Sequence, residues 1–114
     1  MLDIPTYDLT IPVGVTFSLR FTIEDEKGQA IDLTGATFAM QVRSTFASQN
    51  ALLSASTASG IVVAANVVTV TLSASATGAI TDDTGVYDLF VTWSTGRVDK
   101  LFKGKVTFEP RATR

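Results

Sequence analysis

The stretch Val15-Thr16-Phe17-Ser18-Leu19-Arg20-Phe21-Thr22-Ile23-Glu24 carries an apolar residue at every odd position and a polar one at every even position. Successive side chains of a β-strand point to opposite faces, so this period of two places one face on a core and the other in water. No long stretch of the chain repeats its apolar residues at helical spacing. The chain is therefore read as all-β.

The alternation returns in Thr37–Arg43, with Phe38, Met40 and Val42 on the inner side. Two further runs, Ile61–Ala64 and Val67–Leu72, flank Ala65-Asn66. Asn tolerates the left-handed conformation a two-residue hairpin turn needs, and that pairing sets Val63 opposite Val68 and Ile61 opposite Val70. Upstream, Thr6–Ile11 reads as a weaker strand closed by Pro12 and Gly14, suited to a sheet edge or a crossing between sheets. Asp25-Glu26-Lys27-Gly28 and Asp32-Leu33-Thr34-Gly35 have turn chemistry. Ser44–Ser59, rich in Ser, Ala and Thr, reads as a loop around one short strand anchored by Ala51-Leu52-Leu53. Ser73–Ile80 suits a single helical turn. Seven or eight short strands, with turn signals about every ten residues, specify an immunoglobulin-like antiparallel β-sandwich, a small barrel being the alternative. At 114 residues the whole chain, 1–114, is expected to be one domain, with residues 1–12 an arm or an edge strand.

The last two strands, Val86–Trp93 and Val98–Glu109, are joined by Ser94-Thr95-Gly96-Arg97. A hairpin with Trp93 facing Val98 sets Leu89 opposite Phe102, Phe90 opposite Leu101 and Asp88 opposite Lys103. Asp88 and Lys103 then make a charge pair on the outer face, with Phe90 and Leu101 as an apolar pair beside it. If Thr37–Arg43 lies next to this hairpin, Ala39 and Gln41 extend the surface, and Phe46 lies on a loop able to fold over it. Phe90, Leu101, Ala39, Gln41 and Phe46 are the candidate partner-binding residues, weighed against the plainer reading that the pair is covered within the chain.

The absent residue types exclude much. Without cysteine there is no disulfide, thiolate metal site or thiol nucleophile, and without histidine the usual general base is missing. Ser-His-Asp and Cys-His arrangements cannot be built from this chain alone. No strand sets two inward carboxylates together as a glycosidase would need, so no enzyme activity is expected. The acidic turns around Glu24-Asp25-Glu26 and Asp82-Asp83 lack the spacing of a calcium loop, and no metal or cofactor is expected. A net charge of −2, with Arg97, Lys100, Lys103 and Lys105 interrupted by Asp99 and Glu109, does not suit nucleic acid. Met1-Leu2-Asp3-Ile4-Pro5 is no secretion leader and no run reaches transmembrane length, so neither membrane nor export is expected. A carbohydrate or cell-surface binding module needs exposed aromatic platforms, and the alternation turns both Trp93 and Tyr87 inward.

Gly28–Thr37 with its Asp-Leu-Thr-Gly turn, then Thr84-Gly85-Val86-Tyr87-Asp88-Leu89, then Gly96-Arg97-Val98 and Leu101-Phe102-Lys103-Gly104-Lys105-Val106, occur in that order. Together they resemble small virion β-sandwich domains of tailed bacteriophages, in particular the N-terminal domain of siphophage upper baseplate proteins. The likeness runs from Gly14 to Arg114. It implies a non-enzymatic structural part of the tail, baseplate or fibre attachment, made in the host cytoplasm and carried in the virion. Its implied partners are other virion proteins and further copies of the chain, with no small-molecule substrate. The larger baseplate proteins continue into a fibre-like region after this domain, whereas this sequence stops at Arg111-Ala112-Thr113-Arg114. A head-decoration or head–tail joining role is therefore the alternative placement.

Overall fold

The structure is a computed structural model that describes residues 6–112. The first five residues of the expected N-terminal arm lie outside the described residues. Eight strands and one helical turn follow in order: β1 (Leu9–Pro12), β2 (Phe17–Thr22), β3 (Thr37–Arg43), β4 (Leu53–Ser56), β5 (Ile61–Ala64), β6 (Val67–Leu72), α1 (Ala74–Gly78), β7 (Thr84–Thr92) and β8 (Val98–Glu109). They form a five-stranded sheet in the order β1-β8-β7-β3-β4 and a three-stranded sheet in the order β2-β6-β5. Two separate sheets make this an immunoglobulin-like sandwich and not a barrel.

The period of two sets the core. Phe38, Met40 and Val42 of β3, Tyr87, Leu89 and Val91 of β7, and Phe102, Val106 and Phe108 of β8 are buried on the inner face of the larger sheet. Val68, Val70 and Leu72 of β6 and Ile61 of β5 meet them from the other. In β2 the odd residues Phe17, Leu19 and Phe21 are only half-buried, because β2 is an edge strand with no strand beyond it among the described residues.

Among the eight described strands, one pairing departs from a purely antiparallel plan. β1 pairs in parallel with β8, Leu9 beside Val106 and Pro12 beside Glu109, and Thr6 bridges Lys103 in the same sense. The chain then crosses to the smaller sheet through Gly14, at φ +80, where the Thr77 hydroxyl accepts from the Gly14 N–H and donates to the Val15 carbonyl. The Pro12–Gly14 segment is thus the crossing its residues suggest, and it separates β1 from β2 into different sheets.

The β5–β6 register is as expected, Val63 opposite Val68 and Ile61 opposite Val70. The left-handed residue of its turn is Ala65, at φ +54, and not Asn66. Asn66 instead ties the turn to the end of β2, its carbonyl accepting from the Ile23 N–H and its side-chain amide donating to the Ile23 carbonyl. Among the described residues no helix is long and apolar enough to cross a membrane.

Candidate interaction face

The outer face of the larger sheet is built by β3, β7 and β8. β3 pairs with β7 so that Ala39 stands opposite Phe90 and Gln41 opposite Asp88. All four point away from the core, because their neighbours Met40, Leu89 and Val91 fill it. Phe90 keeps 38% of its surface exposed, and Phe46, on the β3–β4 loop, keeps 60%.

Arg43 organises this region, and the sequence reading did not single it out. One guanidinium nitrogen donates to the Ser48 carbonyl at 2.7 Å and another to the Gln41 side-chain oxygen at 2.6 Å. The first bond holds the loop that carries Phe46, and the second fixes the Gln41 amide on the sheet surface. Ser44 adds an anchor at the loop's start by donating to Asp82 at 2.9 Å. Gln41, Arg43, Phe46, Val86, Asp88 and Phe90 then line a shallow depression of about 200 Å³. The signal was available: Arg43 is the next outward residue after Ala39 and Gln41 in the alternation of β3.

The expected pairing of Phe90 with Leu101 is wrong. Beyond Leu89, which faces Phe102 as expected, the ladder shifts, so that Phe90 stands opposite Lys100 and Thr92, not Trp93, stands opposite Val98. The turn is one residue shorter than the expected Ser94–Arg97: the Trp93 N–H donates to the Arg97 carbonyl, which leaves Ser94-Thr95-Gly96 as the loop, and Gly96 takes φ +92. A bulge restores the register toward Leu89, and Leu101 is its extra residue. Leu101 leaves the outer face, packs against the core and lines a groove beside β2.

Lys100 takes the vacated place. Its ammonium lies 5.3 Å from the centroid of the Phe90 ring and 3.5 Å from the Asp88 carboxylate. Asp88 does face Lys103 in register, but the cation that pairs with it is Lys100. Such contacts at a half-exposed site contribute about 0.5–1 kcal/mol each, enough to orient Phe90 and Lys100 without burying either. The candidate face is therefore Ala39, Gln41, Phe46 and Phe90, joined by Arg43 and Lys100, with Leu101 removed from it.

Several of the remaining sequence-flagged groups have structural partners. Tyr87 is fully buried, and Trp93 is half-buried with its indole N–H donating to Asp99 at 2.7 Å. Asp25 closes its own turn by accepting from the Lys27 and Gln29 N–H groups. Asp32 accepts from both the hydroxyl and the N–H of Thr34, which holds its carboxyl below the usual carboxylate range. Among the described residues no group of acidic side chains converges as a metal site would require.

No protein-family model matches the chain, and no curated protein does. A solved structure of Tim-1 aligns over 99% of this chain and 99% of its own, with 16% sequence identity and a TM-score of 0.45.

Proposed function

We propose that this chain is a non-enzymatic structural component of a bacteriophage virion, placed in the tail, baseplate or fibre attachment. It works by rigid contact with other virion proteins and with copies of itself. The observation that carries the reading is the outer face of β3 and β7, where Ala39 and Phe90 stand in register and Phe46 is held beside them by Arg43. An apolar centre ringed by Gln41, Arg43, Asp88 and Lys100 is the anatomy of a protein–protein contact: a desolvated middle with a polar rim.

The segments behind the phage resemblance support a scaffold role. In the Asp-Leu-Thr-Gly turn, Asp32 caps the backbone, and Gly35 takes φ +79 with no room for a side chain against Ser94. Gly85 and Gly104 likewise admit close backbone or ring approach. These residues shape the domain and perform no chemistry.

Burying the exposed parts of Phe46 and Phe90 contributes roughly 1–2 kcal/mol each, too little to hold an isolated pair of subunits. Repetition by the symmetry of a particle multiplies such contacts. The test is the solution mass by light scattering over a wide concentration range, for the natural chain and for Phe46→Ser/Phe90→Ser. The expected result is a mass that rises with concentration in the natural chain and rises less in an equally stable variant. Identical mass curves would overturn the assignment of a self-contact to this face.

A further inference from the structure

On the opposite side of the molecule, β2 is the longest edge strand, six residues against four in each of β1, β4 and β5. The Ile23 N–H donates toward β6, to the Asn66 carbonyl, so the odd residues of this strand direct their backbone groups into the sheet. By alternation Ser18, Arg20 and Thr22 of β2, and Glu24 just beyond its end, where it bridges Ala30 on the β6 side, direct theirs outward, to a flank with no strand partner among the described residues. Along that flank runs a groove of about 550 Å³ whose apolar wall includes Tyr7, Leu9, Phe21, Tyr87, Leu101 and Phe102.

Edge strands usually repel added strands with exposed charge. Here Arg20 and Glu24 are exposed, and among the described residues neither has an ion-pair partner. They carry opposite signs and sit symmetrically about Thr22. We propose that the extended segment Arg20–Glu24, the end of β2 and the two residues after it, pairs antiparallel with the same segment of a second copy about a two-fold axis through Thr22, joining the two smaller sheets into one. In that register Arg20 of each copy faces Glu24 of the other, and the exposed charges become two cross-strand pairs. Thr22 faces its own counterpart, and the outward backbone groups of the even residues meet. On the inner side Ile23 of one copy stands beside Phe21 of the other, at the apolar groove. The contact is isologous and closed, and it uses a surface separate from the Phe46 and Phe90 face, so the two fail or stand independently.

The experiment is sedimentation equilibrium of the Phe46→Ser/Phe90→Ser chain, which leaves β2 as the self-contact, up to the millimolar range. A dimer is expected. Arg20→Glu alone and Glu24→Arg alone place like charges opposite each other and raise the dissociation constant by about tenfold or more. The exchanged pair Arg20→Glu/Glu24→Arg restores the starting affinity, which a merely destabilised fold would not. Thr22→Pro removes an outward N–H that β6 does not use, and it is expected to be a folded monomer. A monomer at all concentrations, or a dimer that ignores both single charge reversals, overturns the proposal. A dimer lost on removing residues 1–5 and insensitive to the charge exchange overturns it too, by assigning the groove to the N-terminal segment.

Discussion

Tyr87 and Gly104 stand directly opposite each other in the β7–β8 ladder, and the Tyr87 hydroxyl donates to the Tyr7 carbonyl at 2.6 Å. The glycine makes that reach possible. A Cβ at position 104 would collide with the Tyr7 carbonyl and come within 3.1 Å of the Tyr87 ring. Gly104 is thus the point where β8, the incoming N-terminal segment and a core aromatic meet without a side chain between them. Gly104→Ala is expected to cost about 2–4 kcal/mol, because backbone on one side and a packed ring on the other leave no room to relax. Gly96→Ala is the control: nothing lies near its Cβ, so only the strain of φ +92 remains, at about 1 kcal/mol. Urea denaturation of the two variants should separate them clearly. Equal losses would mean that the collision is relieved by a shift of residues 6–8.

Tyr87 also gives the fold an alkaline limit. Burial, with the nearby Asp8 carboxylate and Tyr7 adding to it, pushes its phenol up to about 12. The unfolded chain ionises at about 10, so the unfolded state loses its proton first as pH rises. Stability from this group is therefore fully present below pH ~10 and is lost as pH climbs to ~12, by up to about 2 kcal/mol. Tyr87→Phe is expected to be less stable near neutrality by about 1 kcal/mol, having lost the bond to Tyr7, and to show a shallower decline through the alkaline range. Every other side chain is common to the two proteins, so the difference between their pH–stability curves isolates the tyrosine. Parallel curves would sink the assignment.

Thr77 is a fully buried polar side chain, and its hydroxyl joins α1 to the crossing between the sheets. It accepts from the Gly14 N–H at 3.1 Å and donates to the Val15 carbonyl at 2.8 Å. Thr77→Val keeps the shape but leaves two backbone groups at the crossing without a partner, for an expected loss of about 2–3 kcal/mol. Thr77→Ser keeps the hydroxyl and should lose only about 1 kcal/mol, for the missing methyl. Thermal unfolding of the pair decides it, since a valine as stable as the serine would show that water satisfies Gly14 and Val15.

What the sequence displayed depended on how local the cause was. β2, β3 and the β5–β6 hairpin were readable because their alternation and turn residues lie within a few positions of each other. The parallel pairing of β1 with β8 was not, since it is set by where Gly14 and Thr77 turn the chain, more than sixty positions apart in sequence. The outer face was readable for Ala39, Gln41 and Phe90, which follow from period two once β3 and β7 are neighbours. The place of Lys100 was hidden by a one-residue error in the turn. A clue lay in Leu101-Phe102, two adjacent large apolar residues that a regular strand cannot send to the same side. Period two puts Arg43 on the outer side of β3 after Ala39 and Gln41, but its bond to the Ser48 carbonyl, which holds the loop, is a contact that no periodicity encodes.

The bulge itself can be tested by comparing Phe90→Ser with Leu101→Ser. A regular hairpin would place both on the outer face and give both substitutions the same small effect on stability. With the bulge, Phe90 is an outer residue resting under the Lys100 ammonium, and its replacement should cost less than about 1 kcal/mol. Leu101 packs against the core beside Phe102, and a hydroxyl there removes apolar contact and buries a polar group, for about 2 kcal/mol. The two also separate in assembly: Phe90→Ser should lower self-association at nearly unchanged stability, whereas Leu101→Ser should lower stability first. Denaturant midpoints and light scattering on the same two proteins read both quantities. If Leu101→Ser proved as stable as Phe90→Ser and equally impaired in association, Leu101 would belong back on the face beside Phe90.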